Sequence, residues 1–482
     1  MPDLLANLSL GFSVALSLDN LLFCFLGVLL GTLNLEPATS LIMLAGVYYG
    51  AQYGGSTTAI LLNLPGESSS AVTAIDGYQM ARKGRAGPAL AAAALGSFFA
   101  GSVATLILAL FAPPLAAAAL SFGPPEYFSL MVLGLVSAVA LAHGAILKAI
   151  AMIIVGLLFG LVGTDLYSGM QRFTLGRYEL ADGLNFVAVA VGIFGIGEIL
   201  RNLEAETDRD MSVGRVTGLL PTAADLKRIV SPVLRGTALG SVLGVLPGGG
   251  AILAAFAAYT VEKRVARDPE AFGKGAIEGV AAPEAANNAG AQTSFIPMLT
   301  LGIPANPVMA LMIGAMIIQG IVPGPNVISR NPDLFWGIVA SMWLGNLMLV
   351  LLNLPLIGLW VRLLTIPYYV LFPAILALAS IGVYSLKSNP FDLYTLAVFG
   401  GLGYGLVRLG CEPAPLLLGF VLGPMLEEHL RRALIISRGD PMVFVERPIS
   451  AALLIAAAIL LAIVFMPQIA RKRAQVFTEK ES

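Results

Sequence analysis

Two polar stretches interrupt an otherwise apolar chain, and their residue types are suited to holding ions. The first, "YYGAQYGGSTTAILLNLPGESSS" at 48–70, sets Tyr53, Gly54, Gly55, Ser56, Thr57, Thr58, Asn63, Pro65, Gly66, Glu67 and Ser68 close together. Paired glycines let backbone approach a ligand closely. Hydroxyls and an Asn amide can donate to carboxylate oxygens, and a helix beginning at Ser68 would aim N–H groups at an anion. The second, "APEAANNAGAQTSFIPMLTLGIPANP" at 282–307, holds Glu284, Asn287, Asn288, Gln292, Thr293, Ser294, Thr300, Gly302, Pro304, Ala305 and Asn306. Unpaired amides in hydrocarbon cost several kcal/mol, so Asn287 and Asn288 require partners. Carbonyls freed at Pro297 and Pro304, with Asn and Thr oxygens, suit a desolvated Na+ near Asn287 and Thr300. Glu284 is either a coupling proton site or the cap of the following helix. Small residues also serve close helix packing, and that structural reading stands beside the binding one.

The elements that must position these groups are membrane helices. The 482 residues are 57% hydrophobic and 12% charged, with a mean hydropathy of +0.85, and apolar runs of bilayer-spanning length recur from end to end. Runs and breakers predict helices at 4–32, 38–53, 57–64, 68–81, 88–112, 127–143, 146–163, 183–200, 236–246, 251–260, 286–301, 307–321, 334–362, 368–386, 392–408, 413–430 and 449–469. The expected fold is an all-α polytopic membrane protein of about 11–12 spans with re-entrant hairpins and broken helices. The short runs pair around "ILLNLPGE", "SVLGVLPGGGAI" and "LTLGIPANP". Open backbone at such breaks is tolerated only inside protein or beside a water-filled cavity. Basic clusters at Arg82–Arg85, 201–235, Glu262–Asp268 and Arg471–Arg473 mark the cytoplasmic side. With both flanks on that side, 236–260 is expected to be a re-entrant hairpin with its tip at "LPGGG". The halves are weakly alike, with Pro65 over Pro304 and the two "GAQ" runs nearly in step, as in transporters built from inverted repeats. The expected organisation is a transmembrane half at 1–200, a polar cytoplasmic linker at 201–235, a second half at 236–470 and a basic tail at 471–482.

Other chemistry is excluded. A net charge of −1 offers no broad basic surface for nucleic acid, and Cys24, Cys411, His143 and His429 lack the spacing of a metal site or catalytic triad. The amino terminus shows neither a basic n-region nor a cleavage site, so no removable signal peptide is expected. Asp19 lies within the first apolar run, and Lys148 reads as a basic anchor in a short turn.

The segments "GVYYGAQYGGSTTAILLNLPGESSSAVTAIDGYQMARKGRAGPAL" and "PEAANNAGAQTSFIPMLTLGIPANPVMALMIGAMIIQGIVPGP" resemble the large membrane subunit of the tripartite tricarboxylate transporters, the TctA family. The resemblance implies a non-enzymatic secondary transporter in the bacterial inner membrane. It also implies a small four-helix membrane subunit, a periplasmic solute-binding protein that delivers a citrate-like carboxylate, and uptake coupled to Na+ or H+. The chain has no GxxxxGK[ST] loop for ATP, which agrees. Onto that pattern fall "YGGS" (Tyr53–Ser56), "LNLPG" (Leu62–Gly66), "ANNA" (Ala286–Ala289) and "LGIP" (Leu301–Pro304). The expected substrate site is therefore the two polar stretches, with Glu284, Thr300 and Gly248 coupling the cation and alternating access by either an elevator-like or a rocking motion. One departure stands out: an N-terminal "GVLPG" break is missing near 32–34, and only Gly244–Gly248 remains. This motivates the alternative of a transport-deficient carboxylate-binding scaffold or sensor. A second departure is Ala305 and Asn306, where the family often has Gly and Ser.

Overall fold

The computed structural model describes residues 36–63, 66–141, 145–165, 167–204, 218, 221–246, 250–359 and 368–465. Asp19, Cys24, the departure near 32–34, Pro65, His143, Gly248 and the tail at 471–482 lie outside them. The helices are α1 (Pro37–Leu62), α2 (Ala71–Arg82), α3 (Ala86–Ala119), α4 (Pro124–Leu141), α5 (Ile146–Gly160), α6 (Phe186–Ala190), α7 (Gly197–Glu204), α8 (Ala223–Leu243) and α9 (Gly250–Val265). They continue as α10 (Glu278–Thr293), α11 (Phe295–Leu301), α12 (Pro307–Ile318), α13 (Pro332–Asn353), α14 (Tyr368–Lys387), α15 (Pro390–Arg408), α16 (Pro413–Ile436) and α17 (Pro448–Phe465). A π-helical segment, Val191–Ile196, joins α6 to α7. Among the described residues the strands are two short ones, β1 (Gly163–Thr164) and β2 (Gln171–Arg172), paired antiparallel with Gly163 opposite Arg172. Helices α3, α13 and α17 are each long and apolar enough to cross a membrane. This is an all-α polytopic membrane protein.

Three sequence expectations change. The glycine pair Gly54-Gly55 was expected to separate two helices, but α1 runs through it. Glycine costs a helix only about 1 kcal/mol, and here Gly55 uses its missing Cβ to admit Glu67 and Ser70 against the helix. The polar linker at 201–235 yields its last third to α8, whose start is a capping box. The Asp225 N–H donates to Thr222 Oγ1 at 3.1 Å, and the Thr222 N–H donates to Asp225 Oδ2 at 3.2 Å. The run expected at 286–301 begins earlier and divides at Ser294 into α10 and α11.

The chain forms two compact units, and each takes residues from both sequence halves. One contains the described residues up to Ala117, those from 218 to Ala305, and those from Ala315 to 359. Its centre is α10, against which α8 and α9 pack as a helical hairpin and α2 packs as a shorter helix. Contact between α8 and α10 is backbone to backbone. Gly236, Gly240 and Gly244 fall against Ala282, Ala286 and Gly290, a four-residue repeat on both helices, and a Cβ on any of the three would strike backbone. Three ion pairs, Arg85–Asp225, Arg228–Glu278 and Arg235–Glu262, border this bundle at distances of 2.6–2.7 Å.

The second unit holds the described residues from Ala118 to 204, Asn306–Gly314 and those from Tyr369 onward. Helices α5 and α16 pack with Gly156 on the Leu416 carbonyl and Gly419 on the Ile153 carbonyl. The Lys148 ammonium donates to the Leu409 carbonyl at 2.6 Å, which fits its reading as an anchor. Outside the spans, Asp165 accepts from the Tyr167 N–H at 3.0 Å, the Ser168 hydroxyl at 2.9 Å and the Arg431 guanidinium at 2.9 Å. Those donors hold its carboxyl well below the usual carboxylate range.

Two stability predictions follow from these contacts. Gly240→Val should overpack the α8–α10 seam by about 1–3 kcal/mol and lower the thermal unfolding temperature in detergent. Gly54→Ala, at a position with no neighbouring atom within 4 Å, should leave it nearly unchanged. Asp165 stabilises the fold fully above its unfolded value, near 4 for an Asp, and loses that contribution as pH falls through its lower folded value. Unfolding temperature should therefore fall more steeply on acidification in the wild type than in Asp165→Asn.

Candidate functional site

The polar residues of α1 converge on those of α10 inside the first unit, and the break after α1 makes this convergence tight. Helix α1 ends where Asn63 adopts a left-handed conformation, φ 57°, with its N–H returned to the Thr58 carbonyl. The chain then doubles back so that the Gly66 N–H donates to the Gly55 carbonyl at 3.4 Å. A Cβ on Gly66 would collide with the Gly55 α-carbon, so the crossing requires glycine. Helical structure begins at Ser68 as expected, with Ser68–Ser70 forming a 3₁₀ turn that runs directly into α2. In that turn Ser69 donates to Glu67 Oε1 at 2.6 Å and Ser70 donates to the Glu67 carbonyl at 2.9 Å.

Glu284, on α10, is 1% exposed. Its Oε2 accepts from the Ser56 hydroxyl of α1 at 2.5 Å, and its Oε1 accepts from the Thr73 hydroxyl of α2. One turn on, Asn288 donates to Ser97 Oγ of α3 at 2.6 Å and to the Glu284 carbonyl at 3.1 Å. Asn287 donates to Glu67 Oε1 at 2.8 Å. Neither Glu67 nor Glu284 forms an ion pair with a basic side chain among the described residues. The site thus holds two carboxylates satisfied by hydroxyl and amide donors, and Glu284 is not an ordinary helix cap. Three polar atoms near it are buried without a hydrogen-bond partner: Tyr53 OH, Asn287 Oδ1 and Gln292 Oε1. A small cavity, with room for about one water-sized group, is lined by Tyr53, Ser56, Thr57 and Ser97 against Leu90 and Leu354.

The remaining expected residues are placed elsewhere. Thr58 bonds the Gly55 carbonyl at 3.0 Å, Thr293 the Ala289 carbonyl at 3.1 Å, and Ser294 the Ala291 carbonyl at 2.6 Å. Thr300 donates to the Ile296 carbonyl at 2.7 Å, so its hydroxyl serves its own helix. Gly302 ends α11 in a left-handed conformation, φ 71°. Pro304 and Ala305 are buried in the turn that follows. Asn306 belongs to the second unit, where its Oδ1 accepts the Met309 N–H at 2.9 Å at the start of α12. Among the described residues no group of three or more His, Cys, Asp or Glu side chains is arranged to hold a metal ion.

Sequence reasoning missed several partners. Thr73 and Ser97 are single hydroxyls in apolar runs and carry no distinguishing pattern. Asp76, fully buried on α2, accepts at Oδ1 from the N–H groups of Gly273, Gly275 and Ala276 at 2.9, 2.7 and 2.8 Å, and at Oδ2 from Tyr259 OH at 2.9 Å. It ties α2 to the turn entering α10. The charge in "TAIDGYQ" was the available signal.

A helical membrane protein whose interrupted helices enclose an unpaired polar cluster has the construction of a secondary transporter. A model of the tripartite tricarboxylate transporter TctA family matches residues 16–418, and the chain belongs to that family. Two Agrobacterium vitis relatives are similar. The "Uncharacterized 52.8 kDa protein in TAR-I ttuC' 3'region" is 64% identical over 502 aligned positions covering all of both chains. Because this chain has 482 residues, that relative carries segments absent here. The "Uncharacterized protein in TAR-II ttuC' 3'region" is 67% identical over 242 residues, 50% of this chain and all of that one. No solved structure matches.

Replacing Asp76 by Ala should strand the buried Ala276 N–H, at about 1–3 kcal/mol, and release the part-buried N–H groups of Gly273 and Gly275. The purified protein should unfold at a clearly lower temperature, and proteolysis should cut first near 273–276. An unchanged cleavage pattern and unfolding temperature would show that Asp76 does not tie these segments.

Proposed function

We propose that this chain is the large permease subunit of a binding-protein-dependent system that imports tricarboxylates or related carboxylates across the bacterial inner membrane by cation-coupled alternating access. It works with a small four-helix membrane subunit and a periplasmic solute-binding protein. The observation that carries the reading is the convergence of α1 and α10, where Tyr53 OH and Asn287 Oδ1 are left unpartnered beside hydroxyl and amide groups. The Tyr53 hydroxyl supplies a donor for a carboxylate oxygen, and Asn287 Oδ1 accepts from a substrate hydroxyl. Coupling to a cation has a physical reason here. Glu67 and Glu284 lack basic partners and would repel an anionic substrate, so a cation entering with it removes the repulsion. The candidate cation is Na+ or H+.

The alternative reading, a transport-deficient carboxylate-binding scaffold or sensor, draws on the missing hairpin sequence near 32–34. Proteoliposomes holding both membrane subunits, supplied with the binding protein and a panel of radiolabelled carboxylates, separate the two. An importer accumulates substrate above equilibrium when a cation gradient is imposed, whereas a scaffold binds without flux. Asn287→Ala should weaken apparent substrate affinity by up to about tenfold, the scale of one neutral hydrogen bond. Wild-type affinity in that variant would remove Asn287 from the binding site.

A further inference from the structure

Glu284 sits at the junction of a hydroxyl relay and a cavity. Its Oε2 receives Ser56 Oγ at 2.5 Å, and that same Ser56 Oγ lies 3.2 Å from the Gln52 carbonyl, a second acceptor one turn back on α1. A hydroxyl between two acceptors has two satisfied arrangements. When Glu284 is ionised, Ser56 donates to the carboxylate. When Glu284 carries a proton on Oε2, the acid O–H donates to Ser56, and Ser56 donates to Gln52. Thr73 donates to Oε1 in both arrangements. Neither state leaves a buried donor or acceptor unpaired at this carboxyl, which is the condition for gaining and losing a proton without rebuilding the bundle.

Access comes from the other side of Ser56. Ser56 lines the small cavity together with Tyr53, Thr57 and Ser97, and the Tyr53 OH is buried with no partner. The cavity has room for a water-sized group beside Ser56. The titratable groups facing Glu284 are Tyr53 from α1 and Glu67 from the turn before α2. From α3 it meets Ser97, and from α2 it meets Thr73, while Asp76 is bound to backbone N–H groups at 273–276. The arginines of α8 turn to other acids, Arg228 to Glu278 and Arg235 to Glu262 on α9. A negative Glu284 therefore faces a second acid and no cation, and both favour loading with a positive charge.

We propose that Glu284 is the site that takes up the coupling proton, passed through Ser56 from the cavity lined by Tyr53 and Ser97. This deepens the carboxylate-import reading and rests on it, choosing H+ over Na+. Ser56 hands its hydroxyl proton to Glu284 Oε2 and takes a replacement from hydronium in the cavity, leaving water, a neutral carboxylic acid and an intact serine. Release runs the same steps backward once the cavity faces a more alkaline solution.

The test uses proteoliposomes with both membrane subunits and the binding protein, and difference infrared spectroscopy on the purified large subunit. With one proton per substrate, a gradient of one pH unit, alkaline inside and without Na+, supports about tenfold accumulation in the wild type. In Glu284→Gln that gain should vanish, and any exchange that remains should no longer vary with pH. A titrating carboxylic-acid band should be lost in Glu284→Gln, shifted in Ser56→Ala and retained in Ser56→Thr. Pumping or a titrating band unchanged in Glu284→Gln would overturn the assignment, as would wild-type accumulation that follows Na+ and ignores pH. If Glu284→Gln does not fold, Ser56→Ala decides: slowed pH-driven uptake with a shifted band supports the relay, and wild-type values in both sink it. Absence of all wild-type flux would defeat the importer reading, while the infrared titration would still decide whether Glu284 exchanges a proton.

Discussion

A carboxylate placed among apolar helices has to be bonded by protein groups, since lipid offers none, and at Glu284 those groups are two hydroxyls remote in sequence. Ser56 is 228 positions away and Thr73 is 211. Both must arrive together for either to help, because a half-satisfied buried acid is costlier than none. That requirement fixes the register of α1 and α2 against α10 in the first unit. The Gly55–Gly66 crossing is the local device that makes it reachable, folding the chain back closely enough for Ser56 and Thr73 to approach the same carboxyl from two directions. On the opposite face of α10, glycines of α8 meet alanines and a glycine, which lets the two backbones approach closely.

Charge is distributed in a related way. Arg85, Arg228 and Arg235 are matched to Asp225, Glu278 and Glu262, whereas Asp76 is satisfied by three backbone N–H groups and a tyrosine. Glu284 and Glu67 instead have hydroxyl or amide partners and no basic partner among the described residues of this unit. Asp76 has its acceptors filled at the entrance to α10 and needs nothing further. Glu284 lacks such a set of N–H donors, and so its charge remains to be balanced by something that comes and goes.

Much of this was legible in the sequence for identifiable reasons. Membrane residence follows from composition, and the adjacent amides Asn287 and Asn288 announce buried partners because hydrocarbon does not forgive unpaired amides. The breaks at "NLPG" and "LGIP" do end helices, each through a left-handed residue, Asn63 and Gly302. The errors came where tertiary contact overrides local preference. Gly54-Gly55 reads as a breaker, yet packing against the returning chain keeps α1 continuous. The start of α8 was hidden in a segment judged polar throughout, although Thr222 and Asp225 spell a capping box. Thr73 and Ser97 could not be found in advance, since one hydroxyl in an apolar run looks the same whether it bonds its own helix or a distant acid. Asn306, which sits beside the second motif in sequence, is drawn into the second unit as the cap of α12.

Gly54 and Gly55 are neighbours with opposite surroundings. A side chain at Gly55 would meet Glu67 and its backbone, whereas Gly54 has nothing within 4 Å. One residue along the helix therefore separates a position that admits only hydrogen from one with free volume. A cysteine carrying a spectroscopic label at Gly54 would ride on the same turn as Ser56 without entering the crossing. It would give a reporter on helix movement close to the carboxyl cluster, at a point where the fold itself has left space.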